Sequence, residues 1–397
     1  MQTLVLLSEG SFSNPLMDDV CSLLRIGFWC VTQLTGWHSK CSSTAGPKHD
    51  LDSMRLAYFH TGTVLSSWSV FSLADTLRSM GHEVLEGTIP TNGQGAVVQQ
   101  LNQAEYERIR AKMPTLDGLQ SCDGILVAGP EYVAMWLNTL YGQQQWRQLK
   151  PCRVAFYLES SKRQDVRCRY EIFADWFDLH YFPDPEDAAC LGGKHIACSI
   201  DLEMFKPCPL EGQTGHRCDQ VCHARRMAEK KYEAAFLGSL YPKRLEFLSK
   251  LLPLLPEVDF RANGVTVRDL GGECQREWAE LLVKNIRQIK VHVALPSNNA
   301  SIMVSRPFET MACGTFLLTY HTRNNPFHDG VHCRIYDPEK PQELADLIRY
   351  YLAHEDEREA IARAGCEEVR RNHSLRDRLA EVLDAVTQSS PALRRIS

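Results

Sequence analysis

The stretch SRPFETMACGTFLLT, residues 305–319, indicates how this chain folds, because it reads as a short helix followed by a buried strand. Pro307 suits the first helical position, where its missing N–H would be unpaired in any case, and Ser305 or Arg306 can cap the helix. Gly314 then ends the helix in a conformation that only glycine adopts easily. The strand that follows is apolar along its length, which predicts a sheet covered by helices on both faces.

The same alternation of apolar strands and helical segments runs outward from this stretch in both directions. The segment SWSVFSLADTLRSMG has apolar residues at helical spacing, and Gly81 at its end predicts where that helix stops. The predicted strands are RLAYFH, HEVLEGTI, DGILVAGP, CRVAFYLE, FDLHYFPD and GKHIACSI in the first half, and YEAAFL, EVDFRANG, KVHVAL, GTFLLTY and CRIYD in the second. This pattern predicts the α/β class with parallel sheets.

A break in the alternation divides the chain into two Rossmann-like halves that face a cleft. The segment FKPCPLEGQTGHRCDQVCH is rich in Pro, Gly, Cys and polar residues, which is typical of a linker. Residues before Met54 have no sustained hydrophobic period, and we expect an upstream start codon to account for them. The predicted boundaries are 1–53 for a poorly structured extension, 54–205 for the N-terminal domain, 206–231 for the linker, 232–388 for the C-terminal domain and 389–397 for a tail.

The composition favours a packed globule and excludes some classes of protein. Hydrophobic residues make up 44% of the 397 residues, and the net charge of −5 argues against a general nucleic-acid binder. The most apolar early run, LLRIGFWCVTQL, contains Arg25 and is too short to cross a membrane. The 15 cysteines are odd in number and scattered, so we expect thiols in a reducing cytoplasm.

One group of potential metal ligands lies in the linker. Its members are Cys208, His216, Cys218, Cys222 and His223. Their spacing fits no zinc template, so the sequence favours an irregular insertion and predicts no metal site there.

Glu309 is the acidic residue in the apolar stretch that opens this section, and two interpretations of it remain open. It lies early in a helix that follows the loop PSNNASIMVS, at the carboxyl end of strand KVHVAL. A helix N-terminus in that position favours an anion, and a carboxylate there can accept two hydrogen bonds from the vicinal hydroxyls of a ribose. The alternative is a glutamate that only complements the helix dipole.

Several motifs together resemble one family. RPFETMACGTFLLT and the helical segments from Asp337 to Leu383 resemble the C-terminal domain of group 1 glycosyltransferases, and most closely the CgeB-like branch. AAFLGSLYPKRLEFL resembles the opening of that domain, and HIACSIDLEMFKP resembles the hinge before it. The resemblance covers residues 58–386 and is strongest over 232–386.

The resemblance implies a GT-B fold, with an N-terminal acceptor domain and a C-terminal domain that binds a nucleotide-sugar donor. It implies a metal-independent, retaining glycosyltransferase without a cofactor, acting on a glycan, protein or small-molecule acceptor. By position, Glu309 would bind the ribose and Gly238 would let the main chain approach the diphosphate. Lys243 or Arg244 would neutralise that diphosphate, and Arg306 is a further candidate.

The sequence departs from the family at a position that matters for catalysis. Many members place a second glutamate eight residues before the ribose-binding one, and here that position is Ser301. A hydroxyl supplies no negative charge, so the neighbouring Asn298 or Asn299 and the loop main chain become the candidates for contacting the donor sugar.

A base for the acceptor hydroxyl is expected from the N-terminal half. His60 ends the first predicted strand, and Glu159 ends the strand CRVAFYLE. Both are candidate catalytic residues, although an ordinary loop residue is the alternative for each. Asp184 and Asp187 lie in PDPED, whose prolines predict a turn rather than a metal-binding acidic pair.

Two other functions compete with the transferase. A non-catalytic GT-B protein that binds a nucleotide or sugar, or serves as a scaffold in a glycosylation pathway, is consistent with Ser301. A dinucleotide-dependent oxidoreductase is disfavoured, because HTGTVLSS after the first strand lacks the G-x-G-x-x-G spacing that a pyrophosphate needs.

Overall fold

The structure is a computed structural model of the chain. It describes residues 53–61, 68–89, 103–158, 164–208, 227, 229–263, 275–296 and 302–389. Within these ranges the chain forms two parallel sheets interleaved with helices, as the sequence predicts.

The N-terminal lobe is built on a six-stranded sheet in the order β2-β1-β3-β4-β5-β6, all parallel. Its strands are β1 (Arg55–Thr61), β2 (Glu83–Ile89), β3 (Gly124–Ala128), β4 (Cys152–Phe156), β5 (Leu179–Phe182) and β6 (Lys194–His195). Its helices are α1 (Trp68–Ser79), α2 (Gln103–Arg110), α3 (Leu116–Gln120), α4 (Pro130–Tyr141), α5 (Gln143–Arg147), α6 (Gln164–Phe173) and α7 (Pro185–Leu191), with a 3₁₀ turn at Ala174–Trp176.

The C-terminal lobe repeats the plan with five parallel strands in the order β11-β10-β9-β7-β8. The strands are β7 (Tyr232–Leu237), β8 (Phe260–Asn263), β9 (Ile289–Val293), β10 (Phe316–Tyr320) and β11 (Arg334–Tyr336). The helices are α8 (Pro242–Leu251), α9 (Gln275–Arg287), α10 (Ser305–Ala312), α11 (Pro341–Ala353), α12 (Glu355–Asn372) and α13 (Leu375–Ser389), and a 3₁₀ turn at Leu252–Leu254 follows α8.

Both faces of each sheet are buried, which explains the continuous apolar strands. Successive residues of β1 point to opposite faces, so Ala57 and Phe59 pack in one core cluster while Leu56 and Tyr58 pack in another. In β7, Leu237 likewise packs in one core cluster and Phe236 in another. Such burial on both faces requires helices on each side, and this is the reason that strands and helices alternate along the chain.

The order of strands fixes where a ligand can bind. In each sheet the first strand lies between the second and third, so the chain reverses direction across the sheet between β1 and β3, and again between β7 and β9. A crevice opens outside the carboxyl ends of the strands at such a point, and ligands of open α/β sheets bind there.

Two chain segments, one at Ile200 and one at Ser374, lie side by side and connect the lobes. Ile200 pairs with Ser374 in a parallel bridge, and its N–H donates to His373 O at 2.8 Å. Beyond this bridge, α13 packs in the same core cluster as Leu56 and Tyr58 of the N-terminal sheet. The last helix therefore belongs to the N-terminal core, although it lies within the range 232–388 that the sequence assigns to the C-terminal domain.

The structure refines the short helix from which the sequence was read. Gly314 has φ 69°, as expected for the residue that stops α10. The helix begins at Ser305, with Val304 in the capping position and no side-chain cap. The predicted cap by Ser305 or Arg306 is therefore wrong, and Pro307 is the third helical residue. The Ser305 side chain instead forms a hydrogen bond with Glu309.

The predicted turn at PDPED is also wrong. Asp184 caps α7 by accepting a hydrogen bond from the Glu186 N–H at 3.0 Å, and Pro185 takes the first position of that helix. Proline is common both in turns and at the first helical position, so the residue type alone does not separate the two cases.

Candidate functional site

The candidate site lies at the carboxyl ends of β7 and β9, where the strand order of the C-terminal sheet reverses. Gly238 follows β7 and leads to α8, while residues 294–296 follow β9 and lead toward α10. Five of the predicted donor-binding residues lie here: Gly238 beyond β7, Lys243 and Arg244 on α8, and Arg306 and Glu309 on α10.

Glu309 is buried and ion-paired. Only 1% of its side chain is exposed, and its Oε2 lies 2.6 Å from Arg306 Nη1, one helical turn away. Burial raises the pKa of Glu309, while the positive charge of Arg306 and the hydrogen bond from Ser305 act against that rise. The side chain is not one that merely complements a helix dipole from solvent, and Arg306 is the group that favours its charged form.

His292 lies beneath this ion pair on the central strand β9. It is fully buried, and its Nδ1 lies 3.2 Å from Thr310 Oγ1 on α10. Burial, helped by the charge of Arg306, lowers the pKa of His292 to about 3, so the imidazole is neutral at physiological pH. His292 therefore adds no positive charge beside the ion pair of Arg306 and Glu309 at that pH.

Gly238 lies where an added side chain would meet its neighbours. A Cβ at this position would lie 2.7 Å from the ring of Phe236 and 3.4 Å from Arg244 Nη1. Its lack of a side chain agrees with the close main-chain approach that the resemblance implies, and a larger residue here would displace the Phe236 ring.

The two basic residues of α8 differ in their surroundings. Lys243 is exposed in the first turn of the helix. Arg244 is half-buried, and its guanidinium donates to the carbonyl oxygens of Ser239 and Pro296 at 2.9 and 3.1 Å. Burial lowers the pKa of Arg244, and its cation packs 4.4 Å from the centre of the Tyr241 ring.

A group of polar side chains joins the two lobes next to this site, and the sequence analysis did not predict it. Arg323 Nη2 donates to Asp184 Oδ2 at 2.6 Å, and Arg323 is also ion-paired with Glu186. The amide of Asn324 donates to Pro183 O at 3.2 Å and accepts from the Met303 N–H at 2.5 Å. The N-terminal lobe is thereby connected to the main chain that enters α10.

His60 lies at the carboxyl end of β1, where the sequence places it. It is buried, with Nδ1 3.1 Å from Thr61 O and Nε2 3.0 Å from Glu86 Oε1. The hydrogen bond from His60 is the main cause that lowers the pKa of Glu86. Both ring nitrogens therefore have protein partners, and a role as a base stays a prediction.

Three predicted site residues, Glu159, Asn298 and Ser301, lie outside the described residues. So do His216, Cys218, Cys222 and His223 of the linker group, whereas Cys208 lies within them. The cysteines in the described ranges form no disulfide with one another. Within those ranges no group of His, Cys, Asp and Glu side chains is arranged to hold a metal ion, and no helix is long and apolar enough to cross a bilayer.

Comparison with known proteins links the C-terminal lobe to sugar transfer. Residues 243–384 match a family model described as glycosyl transferase-like. No curated protein matches the sequence. The matched segment contains Lys243, Arg244, Arg306 and Glu309.

The fold is similar to several solved structures at low sequence identity. HepE from Anabaena, in complex with UDP and glucose, is 13% identical with a TM-score of 0.55, covering 83% of this chain and 99% of HepE. Sucrose-phosphate synthase from Thermosynechococcus elongatus is 14% identical with a TM-score of 0.53, covering 85% of this chain and 100% of the synthase. A glycosyltransferase from Rickettsia africae is 11% identical with a TM-score of 0.54, covering 85% and 99%.

These matches confirm the GT-B fold, and they support the prediction of a transferase through the glycosyl transferase-like domain. The sequence did not single out Arg323, Asn324, His292 or Tyr241, which contribute to the site through contacts distant in sequence. Of these residues, Tyr241 could have been noticed in the sequence, because it precedes Pro242 in the motif that resembles the opening of the C-terminal domain.

Proposed function

We propose that this protein is a glycosyltransferase that moves a sugar from a nucleoside diphosphate donor to an acceptor hydroxyl. The donor lies outside the carboxyl ends of β7 and β9, and the acceptor enters from the N-terminal lobe. The buried carboxylate of Glu309, held by Arg306, is the observation that carries this proposal.

Glu309 suits the vicinal hydroxyls of a ribose. An ionised carboxylate only accepts hydrogen bonds and has about four acceptor positions, so its bonds with Arg306 and Ser305 leave capacity for two hydroxyl donors. Such bonds to a charged group are shorter and stronger than neutral ones. Both residues lie in the segment 243–384 that matches the glycosyl transferase-like family model.

The leaving group requires positive charge at the other end of the donor. Breaking the bond from the sugar carbon to the phosphate oxygen leaves negative charge on the nucleoside diphosphate, and groups aimed there lower the barrier. Gly238 lets the main chain come close, the N-terminus of α8 contributes the positive end of its helix dipole, and Lys243 lies exposed in its first turn. We assign the diphosphate to these groups.

The finer chemistry follows from the family resemblance. We propose transfer with retention and without a metal or cofactor, in the CgeB-like branch and in the cytoplasm. Glycans, proteins and small molecules all remain possible acceptors. His60 and Glu159 are the proposed bases for the acceptor, and Asn298 and Ser301 are proposed to contact the donor sugar.

The first experiment is a donor screen with the full-length protein. UDP-glucose is the first donor to test, because similar folds have been solved with UDP or UDP-glucose. We expect one nucleoside diphosphate at about 100 times its Kd to stabilise the protein by about 2.7 kcal/mol in thermal unfolding. We also expect release of the nucleoside diphosphate from the matching sugar donor, at the same rate with and without EDTA.

The outcomes of this screen separate the candidate functions. No stabilisation by any nucleoside diphosphate, together with no release, would refute the proposal. Saturable binding without release in the presence of a broad acceptor panel would instead support the second candidate, a nucleotide- or sugar-binding scaffold. Ser301 favours that candidate, because it stands where many family members carry a second glutamate. Loss of the release reaction in EDTA would refute only the metal-independent mechanism.

A further inference from the structure

The main chain that leaves β9 is held by an unusual set of side-chain donors. Three consecutive carbonyl oxygens, those of Ala294, Leu295 and Pro296, each accept at least one side-chain hydrogen bond. Tyr336 Oη donates to Ala294 O at 2.7 Å, and Tyr241 Oη donates to Pro296 O at 3.1 Å. Loop carbonyl groups commonly face water, so side-chain donors at three successive positions fix this segment closely.

Arg244 provides the connections between the two strand ends. Its Nε donates to Pro296 O at 3.1 Å and its Nη2 lies 3.4 Å from Leu295 O, both beyond β9. Its Nη1 donates to Ser239 O at 2.9 Å, beyond β7. One planar guanidinium thus connects the main-chain segments that follow β7 and β9, the two strands between which the strand order reverses.

The rest of the Arg244 environment holds the guanidinium in this orientation. Its central carbon lies 4.8 Å from the ring centre of Phe236 and 4.4 Å from that of Tyr241. Gly238 lies against the same group, since an added Cβ would be 3.4 Å from Nη1. A cation that stacks on two rings and donates to three carbonyl groups is already committed to the protein.

We propose that Arg244 is a positioning residue, which fixes the main chain at residues 294–296 together with Tyr241 and Tyr336 and does not itself neutralise the diphosphate. This inference rests on the proposed function and replaces one assignment that the resemblance implies, in which Arg244 is an alternative to Lys243 for neutralising the diphosphate. Lys243 then supplies the charge, and Arg244 sets the geometry of the segment that leads from β9 toward α10.

Substitutions that keep or remove charge distinguish the two roles. Lysine retains the positive charge but lacks the planar fork that reaches three carbonyl groups, so we expect Arg244→Lys to be nearly as harmful as Arg244→Gln. For both variants we expect kcat for donor turnover to fall about 10- to 100-fold at saturating donor, which is the effect of misplacing reacting groups by about 1 Å. Lys243→Ala should mainly raise KM and weaken the salt dependence of nucleoside diphosphate binding.

Two further variants provide a second test of the positioning role and a control. Tyr241→Phe removes one donor to Pro296 without changing any charge, and we expect it to lower kcat in the same direction by about threefold or more. Lys250→Ala is the matched control, because Lys250 is an exposed lysine at the other end of α8. Hydrogen exchange in a peptide spanning residues 289–304 should be faster in Arg244→Lys than in the wild type, with or without a nucleotide.

The results that would overturn the inference differ from those that would overturn the proposed function. Arg244→Lys activity within about threefold of wild type, while Arg244→Gln is impaired, would assign Arg244 a charge role. Unchanged hydrogen exchange in Arg244→Lys would also refute the positioning role. Faster exchange in Arg244→Lys, together with a wild type that binds no nucleoside diphosphate, would support the positioning role and refute the donor site.

Discussion

Replacing Glu309 with glutamine is expected to weaken binding of the nucleoside diphosphate about 100-fold, which corresponds to about 2.7 kcal/mol. In the proposed function the carboxylate accepts hydrogen bonds from two ribose hydroxyls, and bonds to a charged group are worth about 1.5–3 kcal/mol each. A glutamine of the same shape has a single acceptor oxygen and presents N–H groups to the other hydroxyl. The affinity is best measured by calorimetry with the full-length protein, and donor turnover should fall in parallel.

A control and a threshold make this expectation decisive. Glu246→Gln is the matched control, because Glu246 is an exposed glutamate of α8 that pairs with Lys250. It should bind the nucleotide as the wild type does. If Glu309→Gln changes affinity and turnover by less than about threefold, which is under 1 kcal/mol, Glu309 does not bind the ribose.

Replacing Arg306 with leucine is expected to lower the free energy of unfolding by about 3 kcal/mol at neutral pH. Glu309 is 1% exposed, and its partner Arg306 lies 2.6 Å away. Removal of one member of a buried ion pair leaves an uncompensated buried charge, and this is the costly way to break such a pair. In the double variant Arg306→Leu with Glu309→Gln, the buried charge is gone, so most of the lost stability should return.

The sign of the pH dependence follows from the raised pKa of Glu309. Burial raises its pKa above the ordinary value, so the folded protein takes up a proton at a pH where the unfolded chain has already lost it. The penalty for burying this carboxylate is therefore fully present only above the folded pKa, and is relieved as the pH falls through that pKa. Without Arg306 that pKa rises further, so the destabilisation caused by Arg306→Leu should shrink on acidification.

Denaturant unfolding at neutral pH and at about pH 5.5 measures this effect. Arg276→Leu is a suitable control, because Arg276 forms an exposed pair with Glu280 on α9, and exposed pairs contribute about 1 kcal/mol or less. A loss below about 1 kcal/mol for Arg306→Leu, or a loss that grows on acidification, would contradict a charged buried pair.

Much of the fold was predictable because it is determined by local signals. Apolar strands alternate with amphipathic helices, and this pattern alone requires parallel sheets with both faces covered. Gly314 marked the end of α10, and its positive φ bears that out. The resemblance located Glu309 and Arg306, and the structure brings those two side chains together one helical turn apart.

What the sequence could not give depends on contacts between distant segments. The resemblance implies that Arg244 is a candidate phosphate ligand, whereas in the structure its guanidinium donates to main-chain groups beyond β9. Arg323 belongs to no local sequence motif, and its role in joining the lobes depends on its contact with Asp184 in the other lobe. A basic residue looks the same in the sequence whether it binds a ligand or a carbonyl group, so only the three-dimensional arrangement separates these roles.

The most direct measurement is a binding cycle that changes the carboxylate and the ribose together. Calorimetry would compare UDP with 2′-deoxy-UDP and 3′-deoxy-UDP on the wild type and on Glu309→Gln. If Glu309 grips both hydroxyls, the wild type loses about tenfold or more in affinity for each deoxy nucleotide, whereas Glu309→Gln loses much less. Equal losses in the two proteins would mean that the hydroxyls bind elsewhere, and would contradict the account.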